Sequence, residues 1–265
     1  MPRFRAMEVD RQKAEQIAHK AIREIVTLSE HRQRCYALSK KLCRQKDEML
    51  AEIFHVVSEG SRKKEPIYQA GYRVISDMAL LSQYLGPRKL AGVYAAARAR
   101  NYQDVVRMMS RIPPWRVPGD AEDLEDKELK EKTLGERKSL ARTRDRNLIN
   151  RLLHDQNPTV IYILLQNSIM TVKEVVRVAS KRPTNPQVLA QLYKNLKWIT
   201  YYSVKKALLN NPYCPTQLAL SLMHYMLEQD LVDIAENEVL HPKIQEAAWE
   251  QVQEKIKARR GEAQE

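Results

Sequence analysis

The sequence predicts an all-α protein: an α-solenoid of short helical repeats preceded by an N-terminal helical hairpin or bundle. Three observations predict it. Seven glycines, two phenylalanines and the absence of long alternating runs argue against a β-rich fold in these 265 residues. Four prolines, Pro158, Pro186, Pro215 and Pro242, recur along the chain at steps of 28, 29 and 27. Two further columns, Val176, Val204, Val232 and Ala179, Ala207, Ala235, recur at steps of 28.

Each proline is expected to open a helix, because a missing N–H costs nothing in the first turn. The residues just before them, Asn157, Asn185, Cys214 and His241, are suited to cap or turn. Apolar positions follow at helical offsets. Val160, Val188 and Ile244 lie two places on, Ile161, Leu189 and Leu218 three, and Leu165, Tyr193, Leu222 and Trp249 seven. The valine and alanine columns mark a second helix in each repeat. Thr171-Val172-Lys173-Glu174 has the form of a capping box at the start of one of them. Leu148 sits one step before Val176, so the array is expected to begin with a half unit near Leu140. Two helices this short cannot bury their apolar faces alone, whereas stacked pairs can.

Two strings, Asn211-Pro212-Tyr213-Cys214-Pro215-Thr216-Gln217-Leu218-Ala219-Leu220 and Thr133-Leu134-Gly135-Glu136-Arg137-Lys138-Ser139-Leu140-Ala141-Arg142, carry a resemblance. The last half of the chain resembles HEAT-like α-helical repeats, in particular uncharacterised bacterial repeat proteins with short units of ~28 residues. Classical HEAT units are longer, about 40 residues. The resemblance implies a fold and a binding role, and no activity.

Ahead of the array, residues 8–58 read as two long helices. One stripe is Ile17, Ala18, Ala21, Ile22, Ile25 and Leu28; a looser one runs from Tyr36 to Val57. The segment Gly60 to Pro66 reads as a basic turn, Ile67 to Tyr84 as one helix, Arg88 to Arg100 as another after the Gly86-Pro87 break, and Tyr102 to Ile112 as a last one. These form an N-terminal region, 1–112. Residues 113–133 are a charged, Pro-containing linker, where Trp115 is a candidate pin. Residues 134–265 are the repeat array, ending in a polar tail from Lys255.

Composition bounds the function classes. Cys35, Cys43 and Cys214 form no metal spacing and no disulfide framework, which fits a reducing compartment. There is no apolar core for a signal peptide near Met1 and no run of 18 apolar residues, so a soluble, cytoplasmic protein without a membrane span is expected. No catalytic, cofactor or zinc motif stands out among the six histidines and many carboxylates, so no cofactor and no enzymatic activity are expected. The net charge of +12 is uneven. Residues 139–210 hold 12 basic and 3 acidic residues, residues 211–265 hold 5 and 10.

The basic stretch supplies the candidate site. Arg177 and Lys205 stand 28 apart in the second-helix column, as do Lys173 and Tyr201. Around them lie Arg142, Arg146, Arg151, Lys181, Arg182, Lys197, Trp198 and Lys206. Second helices are expected to line the concave side of such an array. Cations with aromatic rings among them suit an acidic protein or peptide. They suit nucleic acid bound without sequence readout equally in kind. Trp198 and the tyrosines are alternatively core wedges between repeats. Oligomeric state is not legible at this level.

Overall fold

The computed structural model describes residues 2–110, 115–116 and 127–262. It is all-α, with no strand among the described residues. The chain divides into two compact units, Met1–Arg111 and Ile112–Glu265.

Among the described residues the first unit contains seven helices: α1 (Pro2–Val26), α2 (His31–Leu42), α3 (Asp47–Arg62), α4 (Pro66–Ile75), α5 (Met78–Leu85), α6 (Pro87–Ala99) and α7 (Gln103–Met109). Its centre is α3, which packs against α1, α4, α6 and α7. The sequence explains why: Leu50, Ala51, Ile53, Phe54, Val56 and Val57 are all buried, so this helix is apolar around most of its circumference. Glycine permits two of the contacts. A Cβ on Gly71 would lie 2.4 Å from Ile22 Cδ1, and one on Gly60 would lie 2.3 Å from the Tyr68 ring.

Several expected boundaries differ. The second long helix is two, because the chain turns between Cys43 and Lys46 before the acidic first turn of α3. The single helix expected from Ile67 is also two. Asp77 caps α5, accepting from the Leu80 N–H, and so ends α4 at Ile75. Gly60 and Arg62 belong to α3, and the turn is at Lys64, whose φ is 62°. The Gly86-Pro87 break is present, with Gly86 at φ 86°, and Asn101 at φ 58° follows the C-cap of α6.

A polar network ties α3 to α7. His55 Nδ1 lies 3.0 Å from both carboxylate oxygens of Asp104, and its ring stacks on Tyr102 at 4.1 Å. Tyr102 and Arg100 both donate to Glu52. Burial pushes the Asp104 carboxyl up, but hydrogen bonding and charge from His55, with Arg62 behind, hold it below the ordinary aspartate value. Burial, then the bond to Glu52, pushes the Tyr102 hydroxyl up to about 12.

The second unit contains ten helices among the described residues. They are α8 (Lys127–Lys130), α9 (Leu134–Leu140), α10 (Arg146–Leu152), α11 (Pro158–Gln166), α12 (Val172–Ser180), α13 (Pro186–Lys194), α14 (Tyr202–Leu209), α15 (Thr216–Leu222), α16 (Glu228–Ala235) and α17 (Pro242–Glu262). Alternate helices meet: α9 with α11, α11 with α13, α12 with α14, and α15 with α17. One continuous apolar cluster runs from Leu129 to Val252. Residues 113–133, expected to be a linker, lie mostly outside the described residues. Of the rest, Leu129 is buried in that cluster, and Trp115 stands edge-on to the His241 ring at 5.1 Å. The C-terminal stretch from Lys255, expected to fray, continues α17 to Glu262.

Pro158, Pro186 and Pro242 stand at the first helical position, and Asn157 and Asn185 cap as expected. Pro215 is one place outside, as the N-cap of α15. The second helices have unequal steps. Their N-caps are Thr171, Tyr201 and Leu227, so the first step is longer than the second. Three residues separate α13 from the following 3-10 turn, Trp198–Thr200, whereas the corresponding turn, Met223–Tyr225, follows α15 directly. The valine column therefore averages two registers: Val204 is fully buried, while Val176 and Val232 are half-buried.

Side chains bridge neighbouring helix pairs at nearly constant separation. Arg146 Nη1 donates to Glu174 at 2.9 Å and the Tyr202 hydroxyl to Asp230, each joining the first residue of one helix to the third residue of the next helix but one, 28 residues on. Between α12 and α14 the same two places are Val172 and Val204, both in the apolar cluster. The Ser221 hydroxyl meets the Tyr193 hydroxyl at 3.0 Å, again 28 apart. Buried asparagines close the helix ends. Asn211 Nδ2 donates to Ala179 O and Lys181 O at 2.8 and 2.9 Å, and its Oδ1 accepts from the Tyr213 N–H.

Asn211→Ala leaves two carbonyls and one N–H without this partner. It is expected to cost about 2–3 kcal/mol in urea unfolding, because orphaned buried groups cost ~1–3 kcal/mol. Asp104→Asn is expected to lower stability by about 1.5–3 kcal/mol at neutral pH. Because the folded carboxyl has the lower pKa, this contribution is complete above the unfolded value of about 3.9 and disappears as pH falls through the folded one. Wild type and variant should converge in acid unfolding curves.

Candidate functional site

Short helices explain where the candidate cations go. A helix leaves four terminal carbonyls without intrahelical partners, and its C-terminal end carries partial negative charge. Lys181, the C-cap of α12, donates to His154 O beyond the end of α10. Arg182 Nη2 donates to Asn210 O, at the C-cap of α14, at 2.6 Å. Arg142 Nη1 donates to Lys138 O at 2.9 Å, and Lys205 Nζ to Thr200 O at 3.0 Å, while also lying 5.1 Å from the Tyr225 ring centre.

Three other candidates are matched by carboxylates. Arg146 pairs with Glu174, Arg151 with Glu128 at 2.6 Å, and Lys206 with Asp230 at 2.5 Å. Burial pushes the Glu174 carboxyl up, but the Thr171 N–H and hydroxyl and Arg146 hold it below the usual glutamate value. Asp230 is likewise held low, against burial, by Lys206 and Tyr202. Burial, then the bond to Asp230, raises the Tyr202 hydroxyl to about 12.

Trp198 corrects the expectation of an aromatic platform. It is 2% exposed, its Nε1 donates to Leu165 O at 2.8 Å, and Lys197 Nζ lies 4.2 Å over its ring. It is a core wedge that reaches from the turn before α14 to the end of α11. Arg177 and Lys205 do not share a helical position either. Arg177 stands six places after its N-cap and is exposed, while Lys205 stands four after its own and is half-buried. Two residues turn a helix by about 200°, so the aligned pair was a product of the averaged step. Lys173 is exposed, as is Tyr201, whose ring tilts toward Trp198 at 5.9 Å.

The structure gathers a smaller site that the column reading did not single out. Asn167, following α11, donates through Nδ2 to Ala141 O and Thr143 O at 3.0 and 2.7 Å. Asp145 caps α10 from the other end of the same turn, accepting from the Asn147 and Leu148 N–H groups. The turn thus held presents Arg142 and Arg144. With Tyr162, Ile163 and Gln166 of α11 it lines an open cleft of about 460 Å³. Tyr162 is 49% exposed. Neither arginine has a carboxylate partner among the described residues. The signal for Tyr162 was present but faint: it falls off the stripe of Val160, Ile161, Leu164 and Leu165 in a helix that is apolar almost all round.

The cleft lining contains no carboxylate, imidazole or thiol, so its chemistry is that of anion and aromatic contact. Elsewhere, His31 Nε2 approaches both Asp77 Oδ2 at 3.2 Å and Cys35 Sγ at 3.5 Å. One ring nitrogen serves both, whereas a nucleophile relay needs one nitrogen for each. Cys35 is buried and Cys43 exposed, so the two do not share a face. Burial pushes the Cys214 thiol up to about 12. No helix among the described residues is long and apolar enough to cross a membrane, and no group of three or more His, Cys, Asp or Glu there is placed to hold a metal.

Comparison with known proteins returned no match to a family model, a curated protein or a solved structure.

Trp198→Ala is expected to destabilise the chain by about 3–5 kcal/mol, as removal of a fully packed aromatic ring does. A thermal shift of a surface residue's size would reinstate Trp198 as a contact residue.

Proposed function

We propose that the chain is a non-catalytic interaction scaffold. In this reading the second unit is a short HEAT-like α-solenoid, and its cleft beside α11 seats an acidic segment of a partner protein. The observation that carries the reading is the cleft itself: two guanidinium groups without carboxylate partners among the described residues, beside an exposed tyrosine ring. Guanidinium forks match carboxylates in two-pronged geometry. Most of the other cations of the stretch serve ion pairs and helix ends; Lys173 and Arg177 stay exposed, whereas Arg142 and Arg144 line the cleft. Bridges between side chains about one repeat apart support the solenoid arrangement.

One observation favours a second reading. The exposed rings of Tyr162 and Tyr201 stand in the basic stretch, and such rings stack on bases while cations contact phosphates. The salt response separates the two. A nucleic-acid complex loses affinity by powers of ten between low and physiological salt.

The test is fluorescence anisotropy with a labelled Glu/Asp-rich peptide, and in parallel with a labelled single-stranded oligonucleotide. Arg142→Glu with Arg144→Glu is expected to weaken peptide binding about tenfold or more, or ~1.4 kcal/mol and upward. Lys243→Glu, on α17, should leave it unchanged. Equal peptide affinity in the charge-reversed protein overturns the cleft; a steep salt slope confined to the oligonucleotide favours the second reading.

A further inference from the structure

Helix α2 and the turn after it carry charge of one sign. Residues 31–46 hold six lysines and arginines and no aspartate or glutamate. Part of that charge is engaged inside the unit. Arg34 donates to Leu28 O and Val26 O at 2.7 and 2.8 Å, around the end of α1, and Lys41 pairs with Glu24. Lys40, Arg44 and Lys46 are exposed, and their side chains have no partner among the described residues. Glu30 and Glu48 stand beyond the two ends of the stretch, and Asp47 is matched by Lys89 at 2.8 Å.

An aromatic ring stands in the middle of this charge. Arg32, Tyr36 and Lys40 follow one another at steps of four, so they form a stripe along one face of α2, with about 6 Å of rise per step. Tyr36 is 53% exposed, the most open large apolar side chain among the described residues. Tyr84 of α5 stands against it: the two rings meet edge to face at 5.5 Å, and Arg32 Nε donates to the Tyr84 hydroxyl at 3.0 Å. The outer guanidinium nitrogens of Arg32 remain for a ligand. At its other end the stripe runs into the turn before α3. There Lys89 Nζ donates to Gln45 O at 2.5 Å and brings in the start of α6, with exposed Arg88.

We propose that this face of the first unit binds single-stranded nucleic acid, with the Tyr36 ring stacked on a base and Arg32, Lys40 and Arg44 on the flanking phosphates. A stripe of cations without carboxylates fits an anionic partner, and the ring decides which kind. A base offers a flat π face to an exposed ring, whereas the side chains of an acidic peptide do not. In a duplex those faces are covered by stacking, and the grooves present base edges instead. A step of about 6 Å from ring to cation lies within the length of one nucleotide of an extended strand. The surface lies wholly in the first unit, so the inference is independent of the cleft beside α11.

Fluorescence anisotropy of the full chain with labelled oligothymidylate provides the test. Wild type is expected to bind, with affinity falling about tenfold or more between ~50 and ~200 mM salt. Tyr36→Ala should weaken binding about tenfold, the loss of one stacked base, while Tyr36→Phe keeps wild-type affinity. Lys40→Glu with Arg44→Glu should weaken it about tenfold or more and flatten the salt slope. These changes fall on exposed side chains, so the thermal unfolding midpoint should stay at the wild-type value, and Lys243→Glu should leave binding unchanged. In Tyr36→Trp the indole emission should be quenched on adding the oligonucleotide. Four results each overturn the proposal: no binding by wild type at low salt; wild-type affinity in Tyr36→Ala; displacement of the label by a duplex or by polyglutamate as effective as by unlabelled oligothymidylate; or loss of binding in Arg142→Glu, Arg144→Glu alone, which moves the site to the second unit.

Discussion

The second unit is built around a difficulty: its helices are too short to satisfy their own backbones. Helices α9 to α16 are seven to nine residues long. Four N–H and four C=O groups per helix need partners from outside the ladder, nearly as many as the ladder itself satisfies. A buried polar group left without a partner costs ~1–3 kcal/mol, so a dozen such ends could outweigh the net stability of a domain. Polar side chains at several helix ends are accordingly engaged. Asn157, Asn185, Thr133, Thr171 and Asp145 cap amino ends, and Asn167 and Asn211 reach back to the carbonyls of an earlier helix.

The same demand sets the spacing and consumes the charge. Three of the bridges that reach from one helix to a later one join residues 27 or 28 apart in the chain. Lysines and arginines are well suited to the carboxyl ends, where the carbonyls concentrate negative potential. A stretch with twelve cations therefore offers few of them to a partner. Lys173 and Arg177 also stay exposed, but the cleft lies beside the turn between α9 and α10, which Asn167 and Asp145 secure so that Arg142 and Arg144 stand beside Tyr162.

Much of this was legible in the chain, and the reasons differ by residue. Proline before an apolar helix and asparagine before proline are local signals, and they located the starts of α11 and α13 to the residue. The break at Asp77 was equally local, a capping aspartate inside an apolar run, but it was hidden because helical periodicity continues across it. The pairing of Arg177 with Lys205 failed for another reason. A constant step conceals caps that are unequally spaced at Thr171, Tyr201 and Leu227, and side-chain direction depends on distance from the cap. Trp198 is ambiguous in sequence, since an aromatic ring among lysines serves a core or a surface, and only its bond to Leu165 O decides.

By itself the sequence determined the helical class, the proline and valine periodicity and the sign of the charge, because proline geometry, apolar period and net charge are properties of short stretches. Tertiary structure alone decided which cations are taken up by carboxylates and helix ends, and that Tyr162 lies open beside two arginines. Those facts depend on which backbone ends and which helices come to lie against one another, and a contact between two separate helices is not written in either of the segments that make it.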